Sequence, residues 1–248
     1  MPGVLLVTGG GRGIGAATAR LGAERGYSVC VNYRHDRESA ERVVADIGRH
    51  GGVAIAVAAD VGVERDVVAL FEAIDAHLGR ITALVNNAGV LEVQQRVDEM
   101  DQDRLERILR TNVVGSFLCS REAIRRMSTR RSGSGGAIVN VSSAAARLGA
   151  PTEYVDYAAS KGALETFTIG LAKEVATEGI RVNAVRPGLI HTDIHAAGGE
   201  PGRIERLRMA VPMQRGGYPD EVARAILWLL SEEASYTTGT FLDVSGGR

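Results

Sequence analysis

Two cysteines in 248 residues are too few for a disulfide framework. Cys30 and Cys119 stand in apolar segments, without the spacing of metal ligands. Proline is scarce, at six residues, and no linker, low-complexity tract or internal repeat divides the chain. No apolar run reaches the roughly 20 residues that cross a bilayer. The first apolar stretch, Val4-Leu5-Leu6-Val7, has no basic segment before it and no small-residue cleavage site after it. It reads as a buried strand and not as a secretory leader, so a cytoplasmic location is expected. A charge surplus is missing as well. At a net charge of -1 nothing in bulk draws the chain to nucleic acid or to an anionic membrane.

Glycine, by contrast, is abundant at 31 residues, which suits tight turns and close backbone approach to a ligand. Residues 3–8 read as a strand and 14–25 as a helix, with Thr8-Gly9-Gly10-Gly11-Arg12-Gly13-Ile14-Gly15 between them. Such a turn lets a pyrophosphate reach the backbone and meet the unpaired N–H groups of the helix start. The spacing is not Gly-x-Gly-x-x-Gly, and the Gly-Lys-Ser/Thr ending of a P-loop is absent. The second strand, 28–33, ends in Asn32-Tyr33-Arg34, with no carboxylate before Asp36 to hold ribose hydroxyls. Arg34 and Arg12 would instead suit a 2′-phosphate, which favours NADP over NAD. The alternative is a pair of solvated arginines.

Helical periodicity covers 37–50 and 64–77, with a third strand at 54–58 between them. Asp60-Val61 follows that strand, at the carboxyl edge where ligands gather in open α/β sheets. A strand from 83 ends in Asn86-Asn87-Ala88-Gly89, whose amides could tie loops together, meet an adenine ring or simply form a polar turn. Residues 101–131 read as mostly helical and carry Asn112 among apolar neighbours, which points to a satisfied polar role. Strands at 137–141, 181–185 and 240–244 and a helix at 219–230 complete the pattern. Strands alternating with helices imply one α/β domain over 1–248, a doubly wound parallel sheet of seven strands with helices on both faces.

Tyr157 and Lys161 lie four residues apart at the head of an apolar helix, so their side chains leave the same face. A phenol ionises near pH ~10, too high for acid–base work at neutrality. An ammonium about 6 Å away favours the phenolate by roughly 2–3 kcal/mol, or about two pKa units. The expectation is a tyrosine brought toward working range.

With these segments placed, the sequence resembles the short-chain dehydrogenase/reductases over essentially its whole length. The family's Thr-Gly-x-x-x-Gly-x-Gly turn is matched by Thr8, Gly9, Gly13 and Gly15, and its Asn-Asn-Ala-Gly by Asn86 to Gly89. Its Tyr-x-x-x-Lys is matched by Tyr157 and Lys161. The resemblance implies a Rossmann fold and a tetrad completed by Asn112 and by a serine at the end of the fifth strand. Motif matching favours Ser143, and period-two alternation sends Ser142 to the other face. Pro187-Gly188 and Thr192 match the loop that meets the nicotinamide end in the family. Val61, Asn87, Ala88 and Ile14 join the cofactor set with Asn32, Arg34 and Asp60.

The resemblance implies hydride transfer between NAD(P)H and a small ketone or secondary alcohol. Tyr157 would move the proton, Ser143 would hold the oxygen, Lys161 would act on Tyr157 and the nicotinamide ribose, and Asn112 would anchor a water. It also implies a homotetramer. Sugar dehydrogenases of the glucose type and 3-oxoacyl-carrier-protein reductases are the alternatives within the family. The carrier-protein reading would need a basic docking patch, with Arg125, Arg126, Arg130 and Arg131 at hand. That basic loop has no interleaved aromatics, so nucleic acid is not an expected partner. A reading of another class is an NADP-sensing protein without chemistry. Residues 191–213 are expected to be a variable substrate loop. His191 and His195 have no third ligand of suitable spacing, so no metal is expected. The acidic run Glu153-Tyr154-Val155-Asp156 is unusual for the family, and Glu153 could meet a polar substrate or remain solvated.

Overall fold

A computed structural model of the chain describes residues 3–248. The central strands are apolar and buried on both faces, which is why they read as continuous hydrophobic runs, whereas the two edge strands are only partly covered. In β1 (Val4–Val7), Leu5 and Val7 enter one core, while Val4 and Leu6 enter the other. The first core receives Ala16 and Ala19 of α1 (Gly13–Glu24) and Ala40, Val43 and Ile47 of α2 (Arg37–Arg49). Val222, Ile226 and Leu230 of α10 (Pro219–Leu230) complete it. The second core receives Leu70, Phe71 and Ile74 of α3 (Glu64–His77). Cys119 and Met127 of α5 (Gly115–Met127) and Leu171 and Val175 of α7 (Val155–Val175) lie on the same side. A fully buried Leu, Ile or Phe stabilises the fold by roughly 1.5–3 kcal/mol, so these helices are held mainly by their apolar stripes. Cys30 and Cys119 are free and buried, and burial raises both thiols, so they serve as packing residues.

The remaining strands are β2 (Ser28–Tyr33), β3 (Ala54–Ala58), β4 (Ile81–Asn86), β5 (Gly136–Val141), β6 (Ile180–Pro187) and β7 (Phe241–Val244). All seven form one parallel sheet in the order β3-β2-β1-β4-β5-β6-β7. The order reverses between β1 and β4, and the crevice of a doubly wound sheet opens at the carboxyl ends beside such a reversal.

Two expectations are refined. The helix foreseen over 101–131 is α4 (Gln102–Leu109) and α5, joined by a widened π-helical turn, Arg110–Val114. Widened turns of this kind concentrate at functional positions, and this one carries Asn112. The segment 191–213 is not featureless. It contains two short helices, α8 (Ile194–Ala197) and α9 (Arg203–Leu207), separated by the glycine-rich break at 198–202. A further short helix, α6 (Ala145–Leu148), follows β5. Among the described residues no helix is long and apolar enough to cross a membrane.

Candidate active site

Along the carboxyl ends of the strands runs a cleft of about 770 Å³, within the range of small-molecule and cofactor sites. At its floor the glycine turn is tied to β4 through Thr8 and Asn87. Thr8 Oγ1 donates to the Val85 carbonyl (3.2 Å) and accepts from Asn87 N (2.9 Å) and Ala88 N (3.0 Å). Asn87 Nδ2 donates back to the Thr8 and Gly9 carbonyls, at 2.8 and 3.0 Å. Gly9 has φ +61°, a conformation that side chains rarely adopt. A Cβ on Gly15 would lie 2.5 Å from the Gly9 carbonyl oxygen, so only glycine lets α1 start this close to the turn. The result is a backbone cradle at a helix N-terminus, which fits a pyrophosphate.

Asn32 faces inward: buried, it accepts from Gly9 N (3.3 Å) and donates to the carbonyls of Val57 and Ala59. It therefore shapes the turn more than it presents an amide to the cleft. Arg12 and Arg34 line the end of the cleft beside β2 together with Tyr33, His35 and Asp36. The Asp36 carboxylate caps α2 by accepting from Ser39 N, and the Ser39 side chain first and this backbone bond second hold its carboxyl below the usual range. Arg34 pairs with Asp60 at 3.1 Å, an ion pair that sequence reading did not foresee. The two meet across the β2–β3 register, which no local pattern reveals.

The chemistry end gathers four side chains from three elements. Tyr157 and Lys161 come from the first turns of α7, and Ser143 from the turn after β5. Lys161 is buried and its Nζ donates to the Val141 carbonyl (2.8 Å) while lying 5.5 Å from the Tyr157 ring centre. Asn112 is fully buried behind them. Its Oδ1 accepts from Val90 N (2.8 Å), and its Nδ2 donates to the Val90 carbonyl (3.1 Å) and to Ser160 Oγ (3.0 Å). Gly89 closes the gap, since a Cβ there would stand 3.4 Å from Lys161 Nζ and 3.5 Å from Asn112 Oδ1. The two serines diverge. Ser142 donates to Glu165 Oε1 (2.9 Å), and Glu165 is itself held by Arg186. Ser143 borders the cleft with Tyr157, and its Oγ accepts from Ala145 N (3.1 Å). Of the residues selected from sequence as site residues, all but Thr8, Gly15 and Asn112 line the cleft.

Electrostatics here departs from expectation. Burial pushes the Tyr157 phenol up to about 12, with the Ser143 hydrogen bond acting in the other direction. Burial also brings the Lys161 ammonium down to about 8. The sequence argument assumed a partly screened pair, whereas both groups are buried and desolvation disfavours the charged form of each. At neutral pH the tyrosine holds its proton, and so for the most part does the lysine.

Among the described residues no three His, Cys, Asp or Glu side chains are gathered to hold a metal. His195 engages the Ile190 carbonyl through Nε2 (3.0 Å), and burial lowers its pKa. The acidic run before Tyr157 is spent on partners: Asp156 accepts from Arg104 Nε (2.6 Å), and Glu153 accepts from Arg203 and Arg206. Sequence reading missed Tyr154 and Arg248 as cleft residues, and no motif marks either.

The comparisons with known proteins agree with this geometry. A family model described as Enoyl-(Acyl carrier protein) reductase matches residues 9–248. The uncharacterized oxidoreductase YgfF of Escherichia coli is 57% identical, over 99% of this chain and 99% of its own. The chain belongs to the short-chain dehydrogenase/reductase family. Glucose 1-dehydrogenase 2 of Bacillus subtilis is 37% identical over 98% of this chain and 93% of its own. Among solved structures, the 3-ketoacyl-(acyl-carrier-protein) reductase of Brucella melitensis complexed with NADH aligns with a TM-score of 0.92 at 36% identity, covering 99% of this chain and 98% of that one. As a short-chain dehydrogenase/reductase, the protein is an NAD(P)-dependent oxidoreductase acting on CH–OH or carbonyl groups of a small molecule.

Proposed function

We propose an NADP(H)-preferring reductase or dehydrogenase of a small ketone or secondary alcohol, with Tyr157 as its acid–base. The observation that carries this is the meeting of Tyr157, Ser143 and Lys161 at one end of a cleft whose other end is the glycine turn with Arg12 and Arg34. The nicotinamide cofactor, when bound, gives or takes the hydride. Tyr157, protonated at neutral pH, donates its proton to the carbonyl oxygen as negative charge develops there, and recovers it when an alcohol is oxidised. The Ser143 hydroxyl holds that same oxygen, giving two donors where charge appears. Lys161 presents an ammonium beside the phenol and so favours the phenolate that proton transfer leaves behind. Asn112 ties Val90, in the loop after β4, to Ser160 of α7 and so keeps the two in fixed relation behind Tyr157 and Lys161.

Preference for NADP is supported by the missing carboxylate at the end of β2 and by two arginines at that end. The Arg34–Asp60 pair does not oppose it, because Arg34 is 54% exposed and a solvated ion pair is worth at most ~1 kcal/mol. The carrier-protein reading stays the alternative: Arg126 is mostly covered between Glu122 and Asp75, but Arg125 and Arg130 are more than half exposed, and their pairs with Glu122 and Glu178 are as weak as that of Arg34. A cofactor sensor has no use for an aligned Tyr157, Ser143 and Lys161. We further read the chain as one domain with a cytoplasmic location, and as a homotetramer. The last is supported by Leu109, Val114, Phe117 and Ile169, exposed on α4, the π-helical turn, α5 and α7, and by the open space over Gly162 and Gly170.

The test titrates the purified protein with NADPH and NADH by fluorescence, then measures turnover of a ketone panel. Tighter NADPH binding, weakened about tenfold in Arg34→Ala, is expected. Turnover should fall by a factor of about 10²–10⁴ in Tyr157→Phe with cofactor affinity retained. Normal turnover in that variant would remove Tyr157 from its role.

A further inference from the structure

Beyond Tyr157 the cleft ends in a charged wall rather than an apolar one. Arg203, buried on α9, stacks 4.9 Å from the Tyr154 ring and pairs with Glu153 and with Glu200 (2.9 Å). Arg206 pairs with the same two carboxylates. These four side chains latch the 191–213 segment to the head of α7 and cancel one another's charge. Arg248 is the fifth member and borders the cleft with Glu153, Tyr154 and Arg203. Its backbone carbonyl accepts from Ser245 Oγ (2.9 Å), which fixes the residue. Its guanidinium has neither an ion-pair nor a hydrogen-bond partner among the described residues. Within the wall Arg203 and Arg206 are matched by Glu153 and Glu200, and the Arg248 guanidinium is the one left without a carboxylate side chain within ion-pair distance among the described residues. Burial and the neighbouring Arg203 and Arg206 guanidiniums make that charge costly, with Glu153 opposing them. A planar fork of donors, part-buried and unpartnered at the end of a substrate cleft, is matched by a carboxylate.

We infer that the substrate is an oxo acid or hydroxy acid whose carboxylate is received by Arg248 while its carbonyl or alcohol meets Tyr157. This rests on the reading of the site given above, and it adds the chemical class of the substrate.

The experiment compares kcat/KM for pyruvate, acetoacetate and levulinate, which set the carboxylate at increasing distance from the carbonyl, with their methyl esters. For at least one member the acid is preferred by about 10- to 100-fold, the usual worth of a charge-assisted bond. Arg248→Gln lowers that acid-to-ester ratio by about tenfold or more, and Arg248→Lys keeps part of it. Esters preferred throughout, or a ratio that Arg248→Gln does not move, would overturn the inference. A readout without turnover is the fluorescence of bound NADPH. Butyrate, and not butyramide, perturbs it in the wild-type complex, and the response is lost in Arg248→Gln; equal responses to both compounds overturn the inference. Retained turnover in Tyr157→Phe would count against the catalytic reading alone, because the acid-to-ester ratio is measured independently of it.

Discussion

The buried pair Arg104–Asp156 stands directly beneath the catalytic end, and its disruption has a calculable cost. The side chains are 6% and 1% exposed, and Arg104 Nε donates to Asp156 Oδ2 at 2.6 Å. Asp156 Oδ1 also accepts from Tyr157 N (2.8 Å), while Arg104 donates to the Val93 carbonyl (2.7 Å) and Gln95 Oε1 (3.0 Å). One carboxylate thus joins α4, the 93–95 segment and the residue that carries the phenol. In Asp156→Ala the guanidinium stays buried without its counter-charge, which costs about 3–5 kcal/mol. For a chain of this size that lowers Tm by about 6–20 °C. Replacing both partners, as in Arg104→Met with Asp156→Leu, removes the stranded charge and should restore most of that loss. Thermal and urea unfolding of the single and double variants form the cycle. A single variant destabilised by less than about 1 kcal/mol, or a double variant no more stable than the single, would refute the argument that desolvated charge dominates here. Activity provides a second reading, since the pair holds the Tyr157 backbone: kcat should fall in Asp156→Ala even at temperatures where the protein is folded.

The two displaced pKa values predict opposite slopes of stability against pH for the protein without cofactor. Lys161, lowered to about 8, binds fewer protons folded than unfolded between about pH 8 and its ordinary value of 10.5, so stability rises with pH across that window. Tyr157, raised from 10.0 to about 12, holds its proton longer when folded, so stability falls above about pH 10. Urea midpoints from pH 7 to 11 should therefore pass through a maximum, and Lys161→Met should flatten the rising limb; an unchanged rise would assign it to another group. At the surface, Phe117 is 48% exposed and stacks on Phe167 at 3.8 Å. Phe117→Arg should shift the sedimentation coefficient toward smaller species if this face is shared between subunits, and a wild-type value would exclude it from the interface.

Most of the architecture was legible in sequence for a simple reason. Strands covered by helices are apolar runs, and helices laid over them must be apolar on one stripe, so β2, β3, α3 and α10 were read with bounds equal to those observed. The glycine turn was equally legible, because a left-handed φ at Gly9 and the close approach at Gly15 tolerate few other residues. Tyr157 and Lys161 were found because helical spacing alone sets them on one face.

What the tertiary structure decided is whatever depends on who stands opposite whom. Arg34 meets Asp60 across neighbouring strands, and Glu153 finds Arg203 and Arg206 some 50 residues away. The expected lowering of the Tyr157 pKa gave way to burial, because the dielectric around a phenol is a property of the whole packed cleft and not of a pentapeptide. Helix periodicity likewise gave no sign of the widened turn at Asn112, where bonds to Val90 and Ser160 take precedence over regular geometry. Local spacing fixes local geometry. Charge balance, desolvation and the end of the cleft that holds Arg248 arise only when segments distant in sequence are packed together.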